Sequence, residues 1–398
     1  MTSTRLEGAA LSRALVAPMV VVFVLFGLTG LAMPVLPLHV HHALGFSTTV
    51  VGWTAGSQFA AALATRLWCG HLSDTRGSHA VMRAGLWAAS ASGVLYLLSL
   101  ARPVARELSL ALLLAGRITL GGAESFVVTG ALAWGLARAA PGEAGRVMAW
   151  IGIAMYASFA VGAPIGSGLY AWGGFGAVAI AGLLLPWMGL ATLRRMPILP
   201  VLPRRIGTDW RAGLRDAWLP GLGLALASLG FAATTTFVPL LLVERGWAPP
   251  WMGASAFASA FAAVRVVGGH LPDRWGAGRV ALCSVAVEAI GLAMVAAAGG
   301  PGWAIAGAAL VGAGYSLVYP GYGLQVVRRA APEVRAVAMG GYTACLDLAL
   351  GLGGPAFGLV AERAGLSAVF ACAALLVMPA AGLALHFMLR NPAAAPTA

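Results

Sequence analysis

Apolar residues run along this chain in twelve long blocks, roughly residues 15–38, 49–69, 80–100, 110–137, 147–170, 175–193, 219–243, 251–271, 278–298, 303–327, 337–360 and 366–389. Most approach the about 20 residues that a helix needs to cross hydrocarbon. Only helices and closed barrels satisfy their own backbone in lipid, and these blocks are too long and continuous for barrel strands. The pattern predicts an all-α membrane protein with twelve transmembrane helices.

The polar intervals repeat. Gly70-His71-Leu72-Ser73-Asp74-Thr75-Arg76-Gly77 returns as Gly269-His270-Leu271-Pro272-Asp273-Arg274-Trp275-Gly276, 199 positions later in a chain of 398. Arg66 and Arg265 keep the same offset. Further on, Arg138-Ala139-Ala140-Pro141 returns as Arg329-Ala330-Ala331-Pro332, now 191 positions later, and Ser125/Ser316 and Pro164/Pro355 share that offset. The change of eight is expected in a longer loop over Arg102–Ser109. A repeat at half the chain length, in parallel order, predicts two pseudo-symmetric six-helix bundles facing a central cavity. The longest polar stretch holds three prolines and six arginines and separates them: residues 1–193, a cytoplasmic linker 194–218, and residues 219–398.

Composition agrees: 60% of residues are hydrophobic and only 10% charged, far from the balance of a soluble domain. The net charge of +12 could suggest nucleic acid, but its placement argues against it. All 25 basic residues are arginine. With the N-terminus inside, 18 fall on inner segments and four on outer loops. That asymmetry places both termini in the cytoplasm and orients the chain in the bilayer. No cleavable signal peptide is expected. Cys69, Cys283, Cys345 and Cys372 have no metal-ligand spacing and read as small packing residues.

Asp74 and Asp273 sit where spans two and eight end, within reach of arginines on neighbouring inner segments: Arg76, Arg138 or Arg146, and Arg274, Arg329 or Arg335. Gly70, Gly77, Gly269 and Gly276 allow a tight turn and close helix approach. A charge pair there can latch a cytoplasmic gate; the plain alternative is a turn carboxylate pairing weakly at a wet surface. The phrase Gly-x-Leu-x-Asp-x-x-Gly, its position after the second span and its weaker copy after the eighth resemble the major facilitator superfamily over essentially the whole chain. The finer likeness is to the bacterial arabinose-efflux-permease-like branch (YfcJ/YhhS type). The resemblance implies the major facilitator fold and transport of a small organic solute by alternating access. The chain departs from the family's pattern after Gly77, where Ser78-His79 replaces the usual basic pair; this makes the first latch looser or partly pH-dependent through His79.

Ionisable groups at membrane depth are costly and functional by default. Arg117 and Glu124 lie two helical turns apart on one face of the fourth span, about 10 Å in rise and too far for a direct pair without long reach. Arg117 with Gly121 and Gly122 resembles the superfamily's fourth-span arginine motif. Glu124 reads either as a carboxylate that carries a proton or recognises a cation, or as a structural partner for another arginine. Asp347, in a glycine-rich eleventh span, divides evenly between a coupling role and a packing hub. The resemblance puts the ninth span at the bundle periphery, which favours a structural role for Glu288. Arg66 and Arg265 read as snorkelling side chains or as the floor of the inner cavity.

Gly162, Pro164 and Gly166 in the fifth span resemble, with Ala163 in place of a glycine, the antiporter motif of the superfamily's exporters; Gly354, Pro355 and Gly358 play the same hinge part in the eleventh. Gln58, Tyr156, Tyr315, Tyr319 and Tyr342, with Tyr322 and Gln325, offer polar groups on an apolar wall suited to a moderately amphipathic organic solute, or serve as packing and interface anchors. His39, His41 and His42 cluster at the end of the first span without a third fixed metal ligand, so a polar cap or a proton entry is expected rather than a metal site.

The chain has no lysine and no phosphate-binding loop, which excludes a pump driven by nucleotide hydrolysis. No His-Glu-x-x-His or intramembrane nucleophile set suggests an enzyme, and no cofactor is called for. The expected function is a proton-coupled antiporter exporting a drug-like or sugar-like solute from a bacterial inner membrane, as a monomer. The alternatives are a proton-coupled symporter for a sugar or organic acid, and a non-transporting receptor or assembly partner.

Overall fold

A computed structural model describes residues 6–101, 105–140, 143–199, 210–247, 249–331 and 334–390. Helix α1 (Gly8–Ala32) continues through a short turn at Leu36–Leu38 into a π-helical turn at His39–Ala43. There follow α2 (Thr48–Arg76), α3 (Ser78–Ser99) and α4 (Arg106–Arg138). The run Ala144–Leu193 is broken by non-helical backbone at Gly173 and Gly174, which divides it into α5 (residues 144–172) and α6 (residues 175–193). The second half has α7 (Trp210–Glu244), α8 (Trp251–Gly268), α9 (Ala277–Ala296), α10 (Pro301–Arg329), α11 (Arg335–Ala364) and α12 (Leu366–Arg390).

Ten of these runs are long and apolar enough by themselves to cross a membrane. Two facts reconcile ten with the expected twelve. The 49-residue run Gly145–Leu193 would extend about 74 Å as one helix, far beyond a hydrocarbon core of about 30 Å, so its break at Gly173–Gly174 makes two crossings. Helix α2 is long enough, but Thr48, Thr49, Thr54, Ser57 and Gln58 lower the hydropathy of its first half, and Arg66, His71, Asp74 and Arg76 that of its second.

One expectation is corrected. Arg106–Ser109, assigned to a loop, form the first turn of α4, so much of the eight-residue insertion lengthens helix. The end of the expected linker is also helical, because α7 begins at Trp210; residues 200–209 lie outside the described residues.

The chain divides into two compact units: Met1–His39 with Ser57–Arg204, and Val40–Gly56 with Arg205–Ala398. Helix α2 is thus shared. Its first turns belong to the second unit, where methyl groups at Gly52 and Gly56 would run into the backbone of Gly354 and Gly351, and the Thr48 hydroxyl donates to the Gly358 carbonyl at 2.9 Å.

The core is apolar as in a soluble protein, but much of the surface is apolar as well. Trp172, Ile198, Val267, Leu375 and Leu389 are exposed, whereas Arg117, Glu124, Glu288 and Asp347 are buried. Apolar side chains outside and ionisable ones inside is the distribution that lipid demands.

Each unit repeats the other's contacts at the offsets read from the sequence. A methyl group at Gly121 of α4 would strike the Gln58 backbone of α2; one at Gly312 of α10 would strike the Phe257 backbone of α8. Gly116 meets the Tyr96 ring, and Gly307 meets the Val295 side chain. Gly162 faces Gly30, and Gly353 faces Leu229. In every pair, residues before the insertion are offset by 199 and those after it by 191.

Candidate functional site

Glu124 reaches its surroundings from the middle of α4. Its side chain is 6% exposed and accepts a hydrogen bond from the Thr29 hydroxyl of α1. Thr29 in turn accepts a hydrogen bond from Gln58 Nε2 of α2 at 3.1 Å. Gln58 is fully buried, and its Oε1 meets no donor among the described residues. Three helices therefore converge on one carboxyl. The closeness of α2 and α4 depends on Gly121, whose missing side chain leaves room for the Gln58 backbone.

Arg117 lies two turns away along α4 and is 5% exposed. Its Nε and Nη1 find no acceptor among the described residues. The Tyr96 hydroxyl of α3 lies in electrostatic range of both Arg117 and Glu124, but outside good hydrogen-bond geometry. A buried guanidinium with donors to spare and a buried carboxyl on the same helix give the first unit a strongly polar interior.

The second unit has the same scaffold with different chemistry. The Ser228 hydroxyl of α7 and the Tyr315 hydroxyl of α10 are 3.0 Å apart. These are the counterparts of Thr29 and Glu124. The counterparts of Gln58 and Arg117 are Phe257 and Ala308. Phe257 packs against Phe231 and Phe261 with ring centroids 5.4 Å and 6.3 Å apart.

Other tyrosines are tied into helix packing. The Tyr342 hydroxyl donates to the Tyr319 carbonyl at 2.7 Å, and the Tyr319 and Thr343 hydroxyls are 3.3 Å apart. Tyr156 is half-buried beside Phe159, at 5.6 Å between centroids. Asp347 is buried in α11. Thr29 does not stand out in the sequence, because a lone threonine in an apolar block carries no signal until its helix face is known.

At the repeated hairpins, Gly77 and Gly276 precede α3 and α9 with φ of +83° and +91°. That left-handed region is open to glycine and strained for other residues, which explains the last glycine of each phrase. Gly70 has nothing near it, whereas a methyl group at Gly269 would approach the Arg265 carbonyl. Asp74 is half-buried. Arg146 pairs with Glu143 at 3.1 Å, and Glu143 also accepts from the Gly8 backbone N–H at 3.1 Å, an anchor not anticipated from sequence. Arg138 stacks over Trp134 at 5.1 Å, and Arg329 over Phe387 at 5.1 Å. His79 Nε2 lies 2.9 Å from the Leu193 carbonyl, tying α3 to the end of α6. The side chains of Asp273 and Arg335 lie outside the described residues.

In the fifth span, Gly162 approaches Gly30, and a methyl group at Gly166 would strike Leu31, so these glycines let α5 pack backbone to backbone on α1. Pro164 lies between them, inside the helix.

Two repeated six-helix units of membrane-spanning length, with ionisable groups buried inside them, define a multi-pass membrane protein. The family model of the Major Facilitator Superfamily matches residues 19–271 and 251–398. The chain is 39% identical over 363 residues to an uncharacterized MFS-type transporter of Salmonella typhimurium, covering 91% of this chain and 93% of that one. It is 36% identical over 377 residues to another from Burkholderia mallei, covering 92% and 89%. Its fold is similar to that of a bacterial homologue of the human lysosomal transporter Spinster, with a TM-score of 0.74 at 14% identity, covering 97% of this chain and all of that one. The chain belongs to the major facilitator superfamily. It is a transporter of the secondary class and not an enzyme.

Proposed function

We propose that this protein is a proton-coupled antiporter that exports a small organic solute, with Glu124 carrying the proton. The observation that carries the reading is the Thr29–Gln58–Glu124 cluster, which exists in one unit only. A buried carboxyl that accepts from the neutral Thr29 hydroxyl is suited to binding a proton, and Arg117 supplies positive charge two turns away to favour its release. Asp347 is the second coupling candidate. Export is favoured by the close α1–α5 packing at Gly162 and Gly166, around the proline-centred motif that resembles that of exporters.

In this reading the repeated hairpins are cytoplasmic gates. Gly70, Asp74 and Gly77 act with Arg138 and Arg146, and Gly269, Asp273 and Gly276 act with Arg329 and Arg335. Gly162, Pro164 and Gly166, with Gly354, Pro355 and Gly358, are hinges. Gln58, Tyr156, Tyr315, Tyr319 and Tyr342 contribute to the solute's surroundings. The arginine asymmetry supports cytoplasmic termini in a bacterial inner membrane, with the protein acting as a monomer.

The test is flux in proteoliposomes under an imposed pH gradient, with a panel of drugs, sugars and organic acids. Solute movement opposite to the proton gradient supports the reading. Uptake driven in the same direction as the protons overturns it in favour of a symporter, and absence of any counterflow favours a non-transporting role.

A further inference from the structure

The second unit holds a buried carboxyl of its own. Glu288 lies mid-way along α9 and is 0% exposed. Neither of its carboxyl oxygens meets a hydrogen-bond donor among the described residues. Stripping an ionised carboxylate of water without replacing the lost bonds is among the most costly events in a protein interior, whereas the neutral acid is tolerated. The surroundings favour a carboxyl that bears its proton.

The niche is built from both sides. A methyl group on Gly230 of α7 would collide with Glu288 Oε1. One on Gly314 of α10 would collide with the backbone of Glu288 and with the Ser284 carbonyl. At the equivalent positions of the first unit stand Ala89 for Glu288, Leu31 for Gly230 and Ala123 for Gly314. The unit that carries the glutamate therefore also carries one glycine, Gly230, that leaves room for its carboxyl and another, Gly314, that lets α10 approach its backbone.

The charged neighbours are few. Residues 217–243 of α7, 301–327 of α10 and 366–389 of α12 contain no arginine, aspartate or glutamate. From α10, Tyr322 lies in electrostatic range of Glu288, with its hydroxyl donated to the Ala380 carbonyl of α12. Tyr315, also on α10, is engaged with Ser228. Helix α12 otherwise offers Cys372 and His386, the latter ring lying against Phe387. On α9 itself the other titratable groups are Arg279 and Cys283, and the short helix Leu271–Arg274 that precedes α9 carries Asp273 and Arg274. The nearest interior neighbours thus offer hydroxyls and carbon, not a cation.

We propose that Glu288 is a second proton-binding site, separate from the Glu124 cluster, which holds a proton inside the C-terminal unit and exchanges it with water. In each exchange the carboxyl O–H bond breaks to pass its proton to a water molecule, giving hydronium, and a new O–H bond forms when hydronium returns a proton and leaves as water. This goes beyond the coupling reading for Glu124 and is testable without any solute. The full-chain protein in lipid is examined by infrared spectroscopy at neutral pH, in H2O and in D2O. The expected result is a protonated-carboxyl band that is missing in Glu288→Gln, retained in Glu124→Gln and shifted after exchange into D2O. A Glu288→Gln spectrum identical to the parent overturns the proposal, as does a band that never exchanges. Should Glu288→Gln fail to fold, Glu288→Asp keeps the carboxyl and is expected to move the band; an unmoved band overturns the assignment.

Discussion

Glu124 and Tyr315 are structural counterparts: each is met by a hydroxyl from the first helix of its own unit, Thr29 for Glu124 and Ser228 for Tyr315. The backbone contacts around them repeat as well, through Gly121 on Gln58 and Gly312 on Phe257. The repeat preserves the frame and alters the chemistry. In the first unit the frame holds a carboxyl, an amide and a guanidinium; in the second it holds a phenol among aromatic rings.

Replacing Glu124 by Gln keeps the shape and removes the titratable oxygen. Proton-gradient-driven flux should fall by about 100-fold or more, the range expected for loss of a positioned acid–base group, while solute exchange without a gradient persists. Flux measured in proteoliposomes checks this. Survival of gradient-driven flux would move the assignment to Asp347.

Thr29→Val and Ser228→Ala remove equivalent hydroxyls with different consequences. Each should lower stability by about 1 kcal/mol, the usual net worth of one hydrogen bond, read as thermal unfolding in detergent. Only Thr29→Val should shift the pH dependence of transport, because only its partner is the carboxyl proposed to carry the proton. Equal shifts in both variants would show that the asymmetry is not functional.

Gly77→Ala and Gly276→Ala force a side chain onto backbone with φ of +83° and +91°. Each should destabilise by about 1–2 kcal/mol. Gly70→Ala, where nothing lies near the new methyl group, should be neutral or stabilising by up to about 1 kcal/mol because it sits within helix α2. The three unfolding curves, compared side by side, test whether the phrase is kept for its turn or for its first glycine.

Gly121→Ala and Gly312→Ala should act as a pair. Both press a methyl group into a neighbouring backbone that has no side chain to rotate away, and overpacking of this kind costs about 1–3 kcal/mol. Similar losses in the two variants are expected; a silent change in either would deny the equivalence of the two contacts.

Much of this architecture could be read from order alone. Apolar blocks of bilayer length recur because lipid imposes that length, and the repeated hairpin phrase survives because Gly77 and Gly276 occupy backbone that favours glycine. The offsets of 199 and 191 reappear as paired contacts because both halves fold on the same plan. Helix ends were less legible: α4 starts at Arg106 and α7 at Trp210, since charged residues extend a helix beyond hydrocarbon without any change in pattern.

By itself, then, the sequence determined the family, the helical class and the doubled plan, and it marked Arg117, Glu124 and Asp347 as costly residues at membrane depth. Only the tertiary structure decided their company. A threonine, a glutamine or a glycine in an apolar block looks the same whichever way its helix is turned. Packing of α1, α2 and α4 made Thr29 and Gln58 the partners of Glu124. Packing of α7, α9 and α10 set Gly230 against the Glu288 carboxyl and Gly314 against its backbone. Those choices depend on which faces meet across helices distant in the chain, information that a linear pattern of polar and apolar positions does not carry.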